Sequence, residues 1–298
     1  MPAFVLAHLS DPHLPPLPQP RWSDLVGKRI TGYINWRRKR SAIHQRPILD
    51  ALIADLKTQT FDHLAVTGDL TNLALPDEFL AAKAWMKSLG PAESVTLIPG
   101  NHDAYVASQR DALANSCTPY MLGDNAKAVS FPFVRRRGAL ALIGLSSAVP
   151  TAPFMATGAL GEAQCAALAD ILPKLKREGL FRVVLVHHPL HSDPKDWYKR
   201  LLDADRLRDM LRVHGAELIL HGHDHHLTRM PIEGPDAQIP MIGVPSASSV
   251  FDDAHEGAAY NLFRVARVRD TWQCEMTTRG LTTPGALTIG ELQKVRLG

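Results

Sequence analysis

Val95-Thr96-Leu97-Ile98-Pro99-Gly100-Asn101-His102-Asp103 runs an apolar, β-branched stretch straight into a polar loop. The first four residues have strand composition, and Pro99 and Gly100 punctuate the run. A strand that stops on Asn, His and Asp delivers an amide oxygen, an imidazole and a carboxylate to the edge of a sheet. The same construction recurs along the chain. Phe4–Leu9 leads to Asp11-Pro12-His13, and His63–Thr67 leads to Gly68-Asp69. Arg182–Val186 leads to His187-His188, and Glu217–Leu220 to His221-Gly222-His223. Strands laid side by side would bring all five loops to one edge. Their donors are hard oxygens and imidazole nitrogens with no thiolate. That set suits two hard or borderline divalent cations better than one structural zinc.

Outward from these motifs, strand-like and helix-like segments alternate. Further strand candidates are Ala139–Leu145, Gln238–Val244, Tyr260–Val268 and Thr271–Met276. Helix candidates are Ser41–Lys57, Asp77–Leu89, Asp103–Ser116, Gly161–Arg177 and Asp203–Val213. Pro47 and Pro173 fall inside two of them and are expected to shift an end or bend the helix. Helices between strands imply parallel crossovers and an α/β fold with helical cover. The closely spaced later strands read as antiparallel. No short repeat and no flexible linker divides the chain. Residues 1–298 therefore read as one domain, with a basic insertion at about 14–46 and a C-terminal tail from about 277.

With 45% hydrophobic and 21% charged residues the composition is that of an ordinary globular protein. No run of roughly eighteen apolar residues is present, so no membrane-spanning helix is expected. The N-terminus starts almost at once with strand-like sequence and lacks the pattern of a secretory signal. Cys117, Cys165 and Cys274 are odd in number and widely spaced, as reduced buried thiols would be. The expected location is cytoplasmic, with peripheral membrane attachment through the basic segment as an alternative.

Between Arg21 and Arg46 eight cationic side chains face one carboxylate, Asp24, a local charge of +7. The rest of the chain carries −4, which together make the net +3. A local anion-binding surface follows, and a broad nucleic-acid face does not. Val26, Ile30, Tyr33 and Ile34 make a partial helical stripe in this segment. It reads as a lid bringing arginine to an anionic substrate. It reads equally as an interfacial helix of residues 21–46 on anionic lipid, with Trp36 at the boundary. A solvated surface is the third reading.

Asp11 and His13, two apart on an extended strand end, would share a face and reach one cation. Asp69 can bridge two cations through its two oxygens. The expected sharing is Asp11, His13, Asp69 and His223 on one cation, and Asp69, Asn101, His187 and His221 on the other. Two divalent cations outweigh two carboxylates and a bridging hydroxide, leaving a site attractive to phosphate.

In this order the motifs resemble the calcineurin-like metallophosphoesterases, whose pattern is DxH, GD, GNH(D/E), H and GHxH. The resemblance implies a four-layer αββα sandwich, two mixed sheets inside and helices outside. It implies a dinuclear centre of iron, manganese, zinc or cobalt, divalent or mixed-valence. It implies hydrolysis of a phosphate-ester P–O bond by a metal-activated hydroxide. His102 would stabilise the transition state and protonate the leaving oxygen. His187-His188-Pro189 and Gly68-Asp69-Leu70-Thr71-Asn72 resemble the class III cyclic-nucleotide and glycerophospho-diesterase branch, so a phosphodiesterase is expected. His187 is preferred to His188 because the family ligand usually stands two before the proline.

Asn72 is a candidate for a phosphoryl oxygen. Asp103 would either orient an imidazole or cap the next helix. Two other functions stand beside this one. One is a lipid- or nucleotide-linked pyrophosphatase at the membrane surface. The other is a non-catalytic scaffold of the same fold. A homo-oligomer is compatible with either. Among the remaining histidines His8 reads as core, His44, His63, His191, His214 and His255 lack a spacing partner, and His225 and His226 read as solvated. Trp197 and Tyr198 either wall a pocket or simply pack.

Overall fold

Short apolar strands joined by crossovers build two sheets in the computed structural model, which describes residues 3–297. β1 (Phe4–Leu9), β2 (His63–Val66) and β3 (Val95–Leu97) pair parallel in that order. The middle of the chain supplies β4 (Phe133–Arg137), β5 (Leu140–Gly144), β6 (Phe181–Leu185), β7 (Leu218–His221), β8 (Arg229–Ile232) and β9 (Ile239–Gly243). These form the second sheet in the order β4-β5-β6-β7-β9-β8, with antiparallel strands at both edges. β10 (Ala259–Val268), β11 (Thr271–Leu281) and β12 (Ile289–Arg296) return antiparallel to the first sheet, completing β12-β11-β10-β1-β2-β3.

The helices are α1 (Lys28–Asn35), α2 (Ser41–Ile43), α3 (Arg46–Thr58), α4 (Pro76–Leu89), α5 (Ala112–Ser116), α6 (Thr118–Met121), α7 (Glu162–Arg177) and α8 (Ala204–His214). A π-helical turn, Trp36–Arg40, joins α1 to α2. Side chains alternate across the second sheet with period two. Leu140, Leu142, Val183, Leu185, Leu218 and Leu220 enter the core shared with the first sheet. Ala141, Ile143, Val184 and Ile219 enter a separate core with Leu168 and Leu172 of α7 and Leu207 and Leu211 of α8. α3 covers the first sheet against β10 and β12 with Leu49, Leu52 and Leu56. The layers are αββα around two mixed sheets, as the sequence led one to expect.

The strands that sequence reading did not find are β4, β8 and β12, all at sheet edges. An edge strand left uncovered buries little and so lacks the apolar signal: β8 exposes three of its four residues, whereas the edge strand β3 is buried throughout and is expected from the sequence. The stretch expected as a tail from about 277 instead completes β11 and adds β12, because β11 needs a partner along its outer edge. The helix expected over Asp103–Ser116 is broken into turns, a 3₁₀ segment Ala107–Gln109 and α5. Ser41–Lys57 divides at His44, whose backbone is extended (φ −90°, ψ 108°). Pro47 then stands in the first turn of α3, where its missing N–H costs nothing.

α3 is clamped to the sheet by Asp55. Its carboxylate accepts from Arg279 Nε (2.9 Å) and Nη2 (2.8 Å) and from Tyr260 Oη (2.6 Å). The Arg279 hydrogen bond holds the Asp55 carboxyl below its usual range against the opposing effect of burial. A depressed folded-state pKa means that stability from this group is present above about pH 4 and is lost as pH falls through the folded value. Asp55→Ala is therefore expected to cost about 1–2 kcal/mol at neutral pH in urea denaturation. The deficit should shrink in acid, where the wild-type carboxylate itself protonates.

Candidate metal centre

All parallel strands of both sheets run out at one edge, and the loops beyond them interlock. Asp11 N donates to Gly68 O (3.0 Å) and His13 N to Asp69 O (3.0 Å), extending the β1–β2 ladder into the loops. Gly222 N donates to His187 O (3.1 Å) in the second sheet. A Cβ on Gly222 would collide with Ser10 and Asp11, and one on Gly100 with Asp69, so the loops meet only where these side chains are missing. Asp11, His13, Asp69, His223 and His225 all have positive φ, from 37° to 71°. Such backbone is uncommon outside glycine, and its concentration at one edge marks a functional site. Asp11 and His13 thus share a destination through left-handed turns, not through an extended strand as expected.

Ring orientation is fixed from behind. His13 Nδ1 donates to Thr71 O (3.1 Å), His187 Nδ1 to Thr67 O (2.7 Å) and His223 Nε2 to Lys199 O (2.9 Å). In the neutral ring each bond leaves the other nitrogen as a lone pair aimed into the site. His13 Nε2 lies 3.9 Å from Asp11 Oδ1 and 3.8 Å from Asp69 Oδ2. His225 Nε2 lies 3.3 Å from Asp11 Oδ1 and 3.2 Å from His13 Nε2. His187 Nε2 lies 3.5 Å from Asp69 Oδ2, and Asn101 Oδ1 lies 3.0 Å from His187 Nε2 and 2.9 Å from His223 Nδ1.

Acceptors therefore face acceptors. Asp11 Oδ1 is buried without a hydrogen-bond partner. Such a cluster is stable only with protons or cations between its members. Burial opposes a charge on His187, yet Asp69 beside it draws its pKa up to about 10. Asp69 itself is held low by His187 and His102 in spite of burial. Oxygen and imidazole donors arranged around one shared carboxylate fit two divalent cations of the kind expected. His13, His44 and His225 bring ligand atoms within 4.8 Å of one another, as do Asp11, Asp69 and His187, and Asn101 joins His187 to His223.

His221 does not join them. Its Nδ1 is engaged by Gly222 O (2.9 Å) and its Nε2 by Thr228 Oγ1 (3.1 Å). The spacing explains the difference: GHxH is matched by Gly222-His223-Asp224-His225, two residues beyond the alignment on His221 and His223. The donor missing from the sequence reading is His225. His188 turns away to Ser147 Oγ (2.7 Å) and Ala156 O (3.0 Å), leaving His187 as the inward ring.

Asn72 has a buried side chain that donates to His13 O (3.2 Å), bracing the loop, while its Oδ1 has no hydrogen-bond partner. Its carbonyl accepts from His102 Nδ1 (2.6 Å), which orients that ring. Asp103 neither orients an imidazole nor caps a helix. It accepts from Gly100 N (2.9 Å) and Thr71 N (3.0 Å), stapling two motif loops together. Burial and the neighbouring Asp69 push its pKa up to about 7.

A cleft of about 400 Å³ opens over these donors, bordered by Asn35, Arg40, His44, His102, Tyr198, Lys199 and His225. Arg40 donates from Nη2 to His13 Nε2 (2.8 Å) and from Nη1 to His102 Nε2 (2.9 Å). His44 rests on Ser248 Oγ (2.9 Å), with its ring centroid 4.5 Å from that of His13. His102 stacks on Tyr105 at 5.4 Å. Neither Arg40 nor His44 has a spacing signal, because both come from the segment between β1 and α3 and meet the motifs only in three dimensions.

Residues 4–227 match the sequence profile of the calcineurin-like phosphoesterases. A protein of Rhodococcus erythropolis described as a probable cyclic nucleotide phosphodiesterase is 27% identical over 237 residues, covering 78% of this chain and 68% of that protein. Among solved structures, a dimetal phosphatase from Danio rerio superposes with a TM-score of 0.62 at 14% identity, covering 100% of this chain and 99% of that one. A purple acid phosphatase from yellow lupin gives 0.57 at 11% identity, over 93% of this chain and 51% of that one. At such identities these structures speak for the fold.

The two histidines separate by experiment. After loading with manganese and desalting, His225→Ala is expected to lose one bound ion relative to wild type by elemental analysis, whereas His221→Gln keeps both. The reverse outcome would restore the assignment to His221.

Proposed function

The chain belongs to the calcineurin-like phosphoesterases, and on that premise we propose that it is a dinuclear metal phosphodiesterase. The observation that carries this reading is the convergence of buried lone pairs on Asp69 from both sheets. In it Asp11, His13, Asp69 and His225 hold one cation, and Asp69, Asn101, His187 and His223 the other. Iron, manganese, zinc and cobalt all suit these donors. When bound, such a pair supplies Lewis-acid stabilisation of the phosphoryl group and an acidified water.

The chain's own groups supply orientation and charge. Arg40 offers a planar fork that matches two phosphoryl oxygens. Lys199 is already paired with Asp196 (3.0 Å) and Asp224 (3.4 Å), whereas Arg40, which donates to two imidazoles, has no carboxylate partner among the described residues of the cleft. One guanidinium matches a monoanionic diester better than a dianionic monoester. The probable cyclic nucleotide phosphodiesterase among the relatives supports the same preference. His102, with Nδ1–H fixed on Asn72 O, turns Nε2 to Arg40 and the cleft. Burial and that guanidinium push its pKa down to about 3, so its part as proton donor to the leaving oxygen requires the phosphate's negative charge beside it.

The test is a substrate panel on metal-loaded protein: bis(p-nitrophenyl) phosphate, cyclic nucleotides, glycerophosphodiesters and p-nitrophenyl phosphate. Diesters should be turned over faster than the monoester. A monoester preference would overturn the diester reading, and tight metal with no turnover would favour a scaffold. His102→Ala should keep its metals and lose about 10²–10⁴-fold in kcat. Arg40→Ala should lower kcat/KM by about tenfold to a hundredfold, with partial recovery in Arg40→Lys.

A further inference from the structure

The helical run that carries Arg40 into the cleft also exposes an apolar surface. Trp22, Val26, Ile30 and Ile34 are 90%, 74%, 48% and 45% exposed. Ile30 and Ile34, four apart, share a face of α1. Phe154 is 82% exposed and stands at φ 65°, a left-handed backbone that is costly for an aromatic residue. Lys28 ties its loop to α1, with Nζ donating to Thr151 Oγ1 (2.6 Å) and Met155 O (2.9 Å). Single exposed apolar residues are ordinary, but two aromatic and three aliphatic ones on one segment and the adjoining loop mark an interaction surface. Trp36, expected at a membrane boundary, is half-buried and stacks on Tyr33 at 6.3 Å; Trp22 is the more exposed tryptophan of this segment.

Charge selects the partner. Arg37, Arg38 and Lys39, in the π-helical turn after α1, are exposed and make no ion pair among the described residues. Arg29, by contrast, is buried on Leu73 O and Ala74 O, and Arg40 is committed to the cleft. Apolar side chains beside unpaired cations match the boundary between acyl chains and anionic headgroups. A nucleic acid would leave the apolar half of this surface unmatched.

We propose that α1, its preceding segment and the Phe154 loop dock the protein on an anionic bilayer. Docking would bring the cleft, lined by Asn35, Arg40 and His44 of the same run, to headgroup level. The inference rests on the phosphodiesterase reading only in naming where substrate is met.

The test is co-sedimentation of the full chain with phosphatidylcholine vesicles, with and without phosphatidylglycerol. Wild type should bind the anionic vesicles and release in high salt. Trp22→Ser/Phe154→Ser and Arg37→Glu/Arg38→Glu should each weaken binding at least about tenfold. Turnover of soluble bis(p-nitrophenyl) phosphate should stay unchanged in both double variants, which reports that they fold and separates docking from chemistry. Wild type that ignores anionic vesicles overturns the proposal whatever its turnover. So does vesicle binding that survives in both variants. Self-association abolished by both, without vesicle binding, overturns it in favour of a subunit contact.

Discussion

Asp69 is the residue on which the rest depends. Its carboxylate is almost wholly buried where the two sheets meet, a position that charge occupies only with compensation. The compensation comes from every direction. His187 approaches from the second sheet, His13 from the loop after β1, and the backbone N–H of His102 donates to Asp69 Oδ1 at 2.7 Å. Removing one partner would leave the others facing an uncompensated anion. The donor atoms are thus linked to one another before any is linked to a ligand.

Holding them there constrains the backbone. Strands fix where each loop begins, but the turn that aims each donor inward has to be left-handed at five non-glycine positions. That strain is offset by packing behind the loops. Glu78 of α4 accepts the backbone N–H groups of Asn72, Leu73 and Leu75, and Asp103 those of Gly100 and Thr71. These carboxylates hold the motif loops in register.

Much of this was legible in the chain. Strands buried on both faces have an apolar signature, and loops that end on Asp, Asn and His stand out against it. Edge strands with exposed positions do not, which is why β4, β8 and β12 had to be seen, while the buried edge strand β3 did not. His225 had a signal, the Gly-His-x-His spacing itself, and was hidden by the equally suggestive His221 two residues upstream of His223. Asn72 and Asp103 were recognisable as part of the site by position, but whether a polar side chain faces substrate or backbone depends on loop geometry. The basic run 21–46 signalled that an arginine could face an anion, but not that it would be Arg40, and His44 carried no pattern, since both owe their place to tertiary packing.

The hydrogen bond from Arg40 to His13 has one more consequence. One guanidinium donates to His13, beyond β1, and to His102, beyond β3. The π-helical turn that bears Arg40 is therefore fastened to two motif loops at once, and α1 with its exposed face cannot tilt without pulling on both rings. The outer surface of the insertion-like run and the floor of the cleft form one mechanical piece.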